Sequence, residues 1–178
     1  VEHLAREKGL HGADDRPGTL EQLCGAPATP EQEADGQFLA WAARLHEIGI
    51  SVAHNGYHKH GAYILDNTDL PGFTLDELHR LSQLVLGHRG KLRKLGTDLQ
   101  DALFVQQLMA LRLAVLLCHA RRDPDLSALQ IECQLQRRVF RLRLHAAWTE
   151  QWPQSNHLLR EETLAWQKTG WSLVLEVE

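Results

Sequence analysis

The sequence predicts a mainly α-helical protein, a helical bundle followed by a small α+β subdomain with a short antiparallel sheet. Two observations carry the helical part. Apolar residues recur every three or four positions through most of residues 37–117, and Thr74 with Glu77 forms a capping box ahead of one such stripe. A third observation carries the α+β part: after residue 128 the apolar period drops to two.

Taken in order, residues 1–36 read as a loosely ordered lead-in, with eight acidic and three basic residues and frequent Gly and Pro. A short helix fits Leu20–Cys24. A second begins at Thr29, with Pro30 at its first helical position, and carries Phe38, Leu39, Ala42, Ala43 and Leu45 on one face. Gly49 is its expected stop. A short helix fits His60–Asp66, and Asp69–Phe73 reads as a turn, with Pro71 fixing φ and Gly72 at the permissive position. Thr74 then caps a helix whose stripe is Leu78, Leu81, Leu84 and Val85. The segment Leu99–His119 is expected to be the core helix, through Leu103, Phe104, Leu108, Leu111, Val115 and Leu116, with a stop at Asp123-Pro124-Asp125. Leu129, Ile131, Cys133 and Leu135 alternate, and then Val139, Arg141 and Arg143 oppose Phe140, Leu142 and Leu144, which fits a hairpin. A helix near Leu158–Lys168, stopped by Gly170, and a strand Trp171–Val177 complete the chain. The organisation is therefore a lead-in at 1–36, a helical domain at 30–125 and an α+β subdomain at 126–178.

Composition narrows the class. Among 178 residues, 43% are hydrophobic, which excludes a chain disordered as a whole. Nineteen basic against 23 acidic residues, a net charge of −4, argue against a general DNA-coating protein, so no DNA partner is expected. No apolar run reaches the length of a membrane span and no basic-then-apolar leader is visible, so a cytoplasmic chain without a membrane partner is expected. Three cysteines, Cys24, Cys118 and Cys133, are too few for a disulfide framework, and the latter two read as buried thiols. The chain begins at Val1 rather than Met, which reads as a processed protein or a piece of a longer one.

The unusual count is histidine, with 11. His46-Glu47 falls at a helix end, His54, His58 and His60 follow closely, and His88 ends the capped helix. Imidazoles and a carboxylate brought together from different elements are what a metal centre needs. Each also has a plainer reading: His46-Glu47 as a capping pair, His54 and His60 as surface or hydrogen-bonding histidines. His58 and His88 stay open between site and packing. The helical HExxH pattern is absent, and no nucleophile elbow or phosphate loop competes.

The run LHEIGISVAHNGYHKHGAYILDNTDLPGFTLDELHRLSQLVLGHR, Leu45 to Arg89, resembles the C-terminal helical domain of the exopolyphosphatase / guanosine pentaphosphate phosphatase (Ppx/GppA) family. HNGYHKHGAYIL with DLPGF carries most of the likeness. It extends over Phe38–Lys94, through RLAVLL at Arg112–Leu117, and weakly to Trp148, Glu162, Trp166 and Gly170. The resemblance implies an HD-domain-like bundle. In metal-dependent HD proteins an upstream His, a His-Asp pair, two later His and a final Asp gather the ions. Here His3, His46, Glu47, His58 and His88 match those positions in turn, and the final one falls near Val115, where L-A-V-L-L offers no carboxylate. The resemblance therefore implies a degenerate HD site at His46, Glu47, His58 and His88, with no metal and no catalytic residue in this chain. It further implies that catalysis resides in N-terminal actin-like domains of the same polypeptide, with Mg²⁺ there. The parent reaction would be hydrolysis of the terminal phosphate of polyphosphate or guanosine pentaphosphate. This chain would be an inactive substrate-binding or regulatory domain, and a homodimer.

A polyanion needs a track of cations. Leu78–Thr97 contains no acid, and within it Arg89, Lys91, Arg93 and Lys94 follow His88, with His79 and Arg80 further back. Lys59, Arg121 and Arg122 extend the candidate set, and Arg137, Arg138, Arg141 and Arg143 on the hairpin form another. Two other classes remain open at this point: an independent metal-dependent HD phosphohydrolase, and a dimerisation module.

Overall fold

The computed structural model describes residues 30–118 and 126–178. The Leu20–Cys24 helix, the Asp123-Pro124-Asp125 stop, His3, Cys24, Arg121, Arg122 and most of the lead-in lie outside those residues.

Helix α1 spans Pro30–Leu45 and buries Phe38, Leu39, Ala42 and Ala43. Gly49, the expected stop, does something else. It lies buried in a 3₁₀ turn, Ile48–Ser51, against helix α2, Tyr57–Asp66. A Cβ there would overlap the Tyr57 carbonyl oxygen and the Gly61 nitrogen, so only glycine lets the two backbones approach so closely. Helix α2 starts three residues earlier than its apolar pattern indicates, because Gly56 adopts a left-handed conformation (φ 70°) at its N-cap.

The Leu70–Phe73 turn closes through a Phe73 N–H bond to the Leu70 carbonyl at 3.1 Å, with Gly72 at φ 95°. Helix α3, Leu75–Gly87, then begins with the full capping box. The Thr74 hydroxyl accepts from Glu77 N–H at 3.2 Å, and the Glu77 carboxylate accepts from Thr74 N–H at 2.7 Å. Leu78, Leu81, Leu84 and Val85 are all buried, as their spacing requires. A 3₁₀ stretch, Leu92–Gln100, kinks at Gly96 (φ 52°) and seats Leu92, Leu95 and Leu99 in the core.

Helix α4, Ala102–Leu117, is capped by Asp101, whose carboxylate accepts from Leu103 N–H at 2.9 Å. It is buried nearly all round rather than along one stripe. Gln106, Gln107 and Arg112 are buried, while Leu103 is exposed and Val115 and Leu116 are half-buried. Its position explains this, since α1, α3 and a later helix all pack on it.

The C-terminal part contains β1 (Leu129–Gln134), β2 (Val139–Leu144), α5 (Ala146–Gln151), α6 (Pro153–Trp166) and β3 (Ser172–Val177). The hairpin is antiparallel and closes at Gln134–Val139, with Arg138 left-handed (φ 54°) in its loop. Phe140, Leu142 and Leu144 face inward. The third strand departs from the purely antiparallel expectation. It runs parallel to β2, giving a mixed sheet of order β1-β2-β3. Helices α5 and α6 form the crossover that returns the chain to the start of β2, and a helical crossover of this kind makes parallel neighbours. Helix α5, around buried Trp148, went unread in the sequence. Trp171 joins the two parts: it stacks on Phe140 at 5.4 Å, and its indole N–H donates to the Leu99 carbonyl at 3.0 Å. Cys118 and Cys133 are half-buried. No helix among the described residues is long and apolar enough to cross a membrane.

Gly49→Ala should destabilise the fold by about 3 kcal/mol, because backbone cannot yield as a side chain does. Gly72→Ala meets open space and should cost only about 1 kcal/mol, for its positive φ. Urea denaturation of the two variants checks the contrast; equal costs would contradict the Gly49 packing described.

Candidate functional site

Three histidines from three elements converge where α1, α2 and α3 meet. His46 follows the end of α1, His58 is the second residue of α2, and His88 is the C-cap of α3. The His46 and His88 rings meet edge-on at 5.1 Å, and the His58 and His88 rings at 6.3 Å. Tyr57 completes the group, tilted on His88 at 5.5 Å. His46 Nδ1–H donates to the Ala43 carbonyl at 2.7 Å, and His88 Nδ1–H to the Val85 carbonyl at 2.6 Å. With both Nδ1 atoms carrying the proton, both Nε2 atoms hold the lone pair. The Tyr57 hydroxyl donates to His88 Nε2 at 3.3 Å. Both ring nitrogens of His58 are buried without a hydrogen-bond partner.

Burial keeps these rings neutral. Desolvation pushes His88 down to about 3, against the bond to Val85, with His46, His58 and Arg89 adding to the effect. His46 is lowered for the same first reason. His58 falls to about 4, by desolvation first and then by the positive charges of Lys94, Arg89 and Lys59.

Those cations are the expected basic run, and the structure brings most of it together. Arg89, Lys91, Arg93, Lys94 and Lys59 are all exposed. The Arg89 guanidinium lies over the Tyr57 ring at 5.0 Å, which holds its head beside the histidines. Desolvation and then the charges of Lys59, Lys91 and Arg93 push Lys94 below the usual lysine range. None of these five cations pairs with a carboxylate among the described residues.

The other expected cations are arranged differently. Arg141 and Arg143 pair with Glu176 at 3.4 and 3.2 Å, and Arg143 also faces Glu132 and Glu178. Arg80 bonds Asp101 and His79 bonds Asp66, at 2.7 and 2.9 Å. Arg137 and Arg138 are exposed in the hairpin loop, and Arg138 donates to Gln100. His54 is exposed in the turn before α2, and His60 is half-buried on α2 itself.

Sequence reasoning missed the most buried charges of the site. Arg112, on α4, donates through Nε and Nη2 to both oxygens of Glu162, at 2.5 and 2.7 Å, with both side chains almost fully buried. Its Nη1 donates to the Gly87 carbonyl at 2.6 Å and the Gly90 carbonyl at 3.3 Å. Trp166 Nε1–H adds a bond to Glu162 at 2.7 Å. A lone arginine inside the most apolar run of the chain, and Glu162 four residues before Trp166, were the available signals.

Comparison with known proteins shows the family. The family described as Ppx/GppA phosphatase, domain III, matches residues 19–165. The chain belongs to the Ppx/GppA phosphatase family. It is 38% identical over 152 residues to a guanosine-5'-triphosphate,3'-diphosphate pyrophosphatase of Photobacterium profundum, covering 81% of this chain and 29% of that protein. Proteins of the same description from Pseudoalteromonas translucida and Vibrio cholerae are each 34% identical, over 77% and 86% of this chain and 28% and 31% of theirs. The chain thus spans less than a third of the length of these relatives.

In this Ppx/GppA chain His46, Glu47, His58 and His88 do not fit a hard divalent cation. Glu47 is largely exposed and its carboxylate stands 3.9 Å from His46 Nε2. His88 Nε2 is occupied by the Tyr57 hydroxyl, and half-buried Val115 supplies no oxygen. Among the described residues no group of three or more His, Cys, Asp or Glu is arranged to hold a metal ion.

The depressed histidines make stability depend on pH. A histidine whose folded value lies below its unfolded value of 6.5 binds its proton only after unfolding, so stability is lost as pH falls below 6.5. His88 alone should remove about 2 kcal/mol between pH 7 and pH 5. Urea denaturation at both values checks this, and His88→Gln should flatten the profile; an unchanged slope would show that His88 is not the group titrating.

Proposed function

We propose that this chain is the polyanion-binding, non-catalytic part of a larger Ppx/GppA phosphatase. It holds a phosphate chain, inorganic polyphosphate or guanosine pentaphosphate, for catalytic domains elsewhere in the same polypeptide. Those domains, with Mg²⁺, would hydrolyse the terminal phosphate; the chain itself contributes binding and orientation. One observation carries the reading. Five exposed cations, Lys59, Arg89, Lys91, Arg93 and Lys94, gather around neutral histidines and none of the five pairs with a carboxylate among the described residues, whereas Arg80, Arg112, Arg141 and Arg143 are all paired. Like charges held close repel one another, and an anion removes that penalty on arrival. The names of the relatives and their greater length support the choice of ligand and the need for further domains. A cytoplasmic homodimer is the setting this reading assumes.

Fluorescent long-chain polyphosphate should bind the chain weakly, and more weakly as salt rises, because screening at physiological ionic strength acts over about 8 Å. Lys91→Ala alone should weaken binding about twofold, since each exposed contact contributes little. Reversal of Arg89, Lys91, Arg93 and Lys94 to Glu together should abolish it, with the fold confirmed by circular dichroism. Equal affinity in wild type and quadruple variant would refute the assignment.

The chain alone should release no phosphate from polyphosphate or guanosine pentaphosphate with Mg²⁺ or Mn²⁺ present. Metal-dependent release that His46→Ala abolishes would instead favour an HD phosphohydrolase.

A further inference from the structure

The buried Arg112–Glu162 pair is more than stability requires. Taking two charges out of water costs several kcal/mol per ion, and apolar residues of similar volume often serve the fold as well or better. Much of α4 meets its neighbours through such residues, among them Leu108, Met109, Leu111 and Leu113. What apolar side chains cannot supply is directed donors. Arg112 aims Nη1 at two carbonyls three residues apart, Gly87 and Gly90, which bracket the turn holding His88 and Arg89. Gly87 ends α3, where helix carbonyls lack intrahelical partners, and a cation there also complements the helix dipole. Gly90 is left-handed (φ 77°), so the second of these bonds holds a turn conformation that favours glycine, just before Lys91. The guanidinium cannot swing away, because Glu162 holds Nε and Nη2 and is itself held by Trp166.

We infer that Arg112 is a positioning residue for the polyanion site, clamping the Gly87–Gly90 turn so that Arg89 and Lys91 stand at a fixed separation, and that Glu162 and Trp166 lock it in that pose. The inference rests on the polyanion reading above and adds a coupling to it. The clamp begins on α6, in the C-terminal part, and ends at the basic turn of the helical part. Arg89 is then fixed twice, its backbone through Arg112 and its side chain by the Tyr57 ring. A lysine at 112 would keep the charge but lose the planar fork that reaches a carboxylate and two carbonyls together.

The test separates clamping from stability. In the double variant Arg112→Met with Glu162→Leu both charges leave together, so no buried ion is stranded. Arg112→Lys keeps the charge without the fork. Each is compared with wild type and with the quadruple reversal for binding of fluorescent long-chain polyphosphate at two salt concentrations, corrected for the folded fraction found by urea denaturation. Amide NMR signals of residues 88–91 are followed in parallel. Both clamp variants should bind at least fivefold more weakly per folded molecule, with a shallower salt dependence and with broadened or shifted amide signals at Arg89–Lys91. Wild-type affinity and salt dependence in Arg112→Lys would overturn the inference, as would wild-type binding by a folded double variant. If the double variant does not fold, Arg112→Lys decides by itself. Equal binding by wild type and the quadruple reversal would overturn the polyanion reading, and this inference with it.

Discussion

The bidentate contact between Arg112 and Glu162 is the constraint that ties the end of α3 to α4 and α6. It is buried, so neither charge can be answered by water, and every donor it uses has a defined protein partner. Three elements meet there: α4 supplies the arginine, α6 the glutamate, and the end of α3 the carbonyls. The packing of Trp166 and Trp171 around Phe140, at 6.0 and 5.4 Å, is built beside it and closes the mixed sheet onto the helices. Remove one partner and the fold must harbour an isolated charge, which is why the pair acts as a unit.

The histidine cluster follows from the same geometry. Arg112 closes α3 at Gly87, and His88, the next residue, turns its ring back to the Val85 carbonyl and onto His46 and Tyr57. The rings are kept neutral by burial, so they contribute no charge of their own. They form a neutral, poorly hydrated surface beside Arg89, Lys94 and Lys59. Charges above such a surface are less well screened than charges in open water, so their mutual repulsion and their attraction for an anion are both stronger.

Much of the fold was legible in the sequence. The Thr74–Glu77 capping box, the Pro71-Gly72 turn and the alternation at 139–144 each act within a few residues, and each appears where the pattern puts it. The site was legible in part. His46, His58 and His88 do meet, and the basic run does gather around them, but Glu47 stays at the rim. Arg141 and Arg143 of the hairpin, equally basic in the sequence, turn out to be answered by Glu132, Glu176 and Glu178 in and beside the neighbouring strands. Charge in a sequence does not reveal its partner, because the partner lies across a register that only the sheet defines.

The sequence by itself determined the helical periods, the caps and the turns, because those depend on side chains three or four positions apart, and its Leu45–Arg89 run carried the resemblance to the family. Only the tertiary structure decided which charges are neutralised, which strand runs parallel, and why Gly49 must be glycine. These outcomes depend on residues distant in the chain: 50 positions separate Arg112 from Glu162, and 31 separate Tyr57 from His88. No local pattern encodes such a meeting. Burial supplies the physical reason it matters, since a polar group removed from water must find its partner wherever the fold has put it.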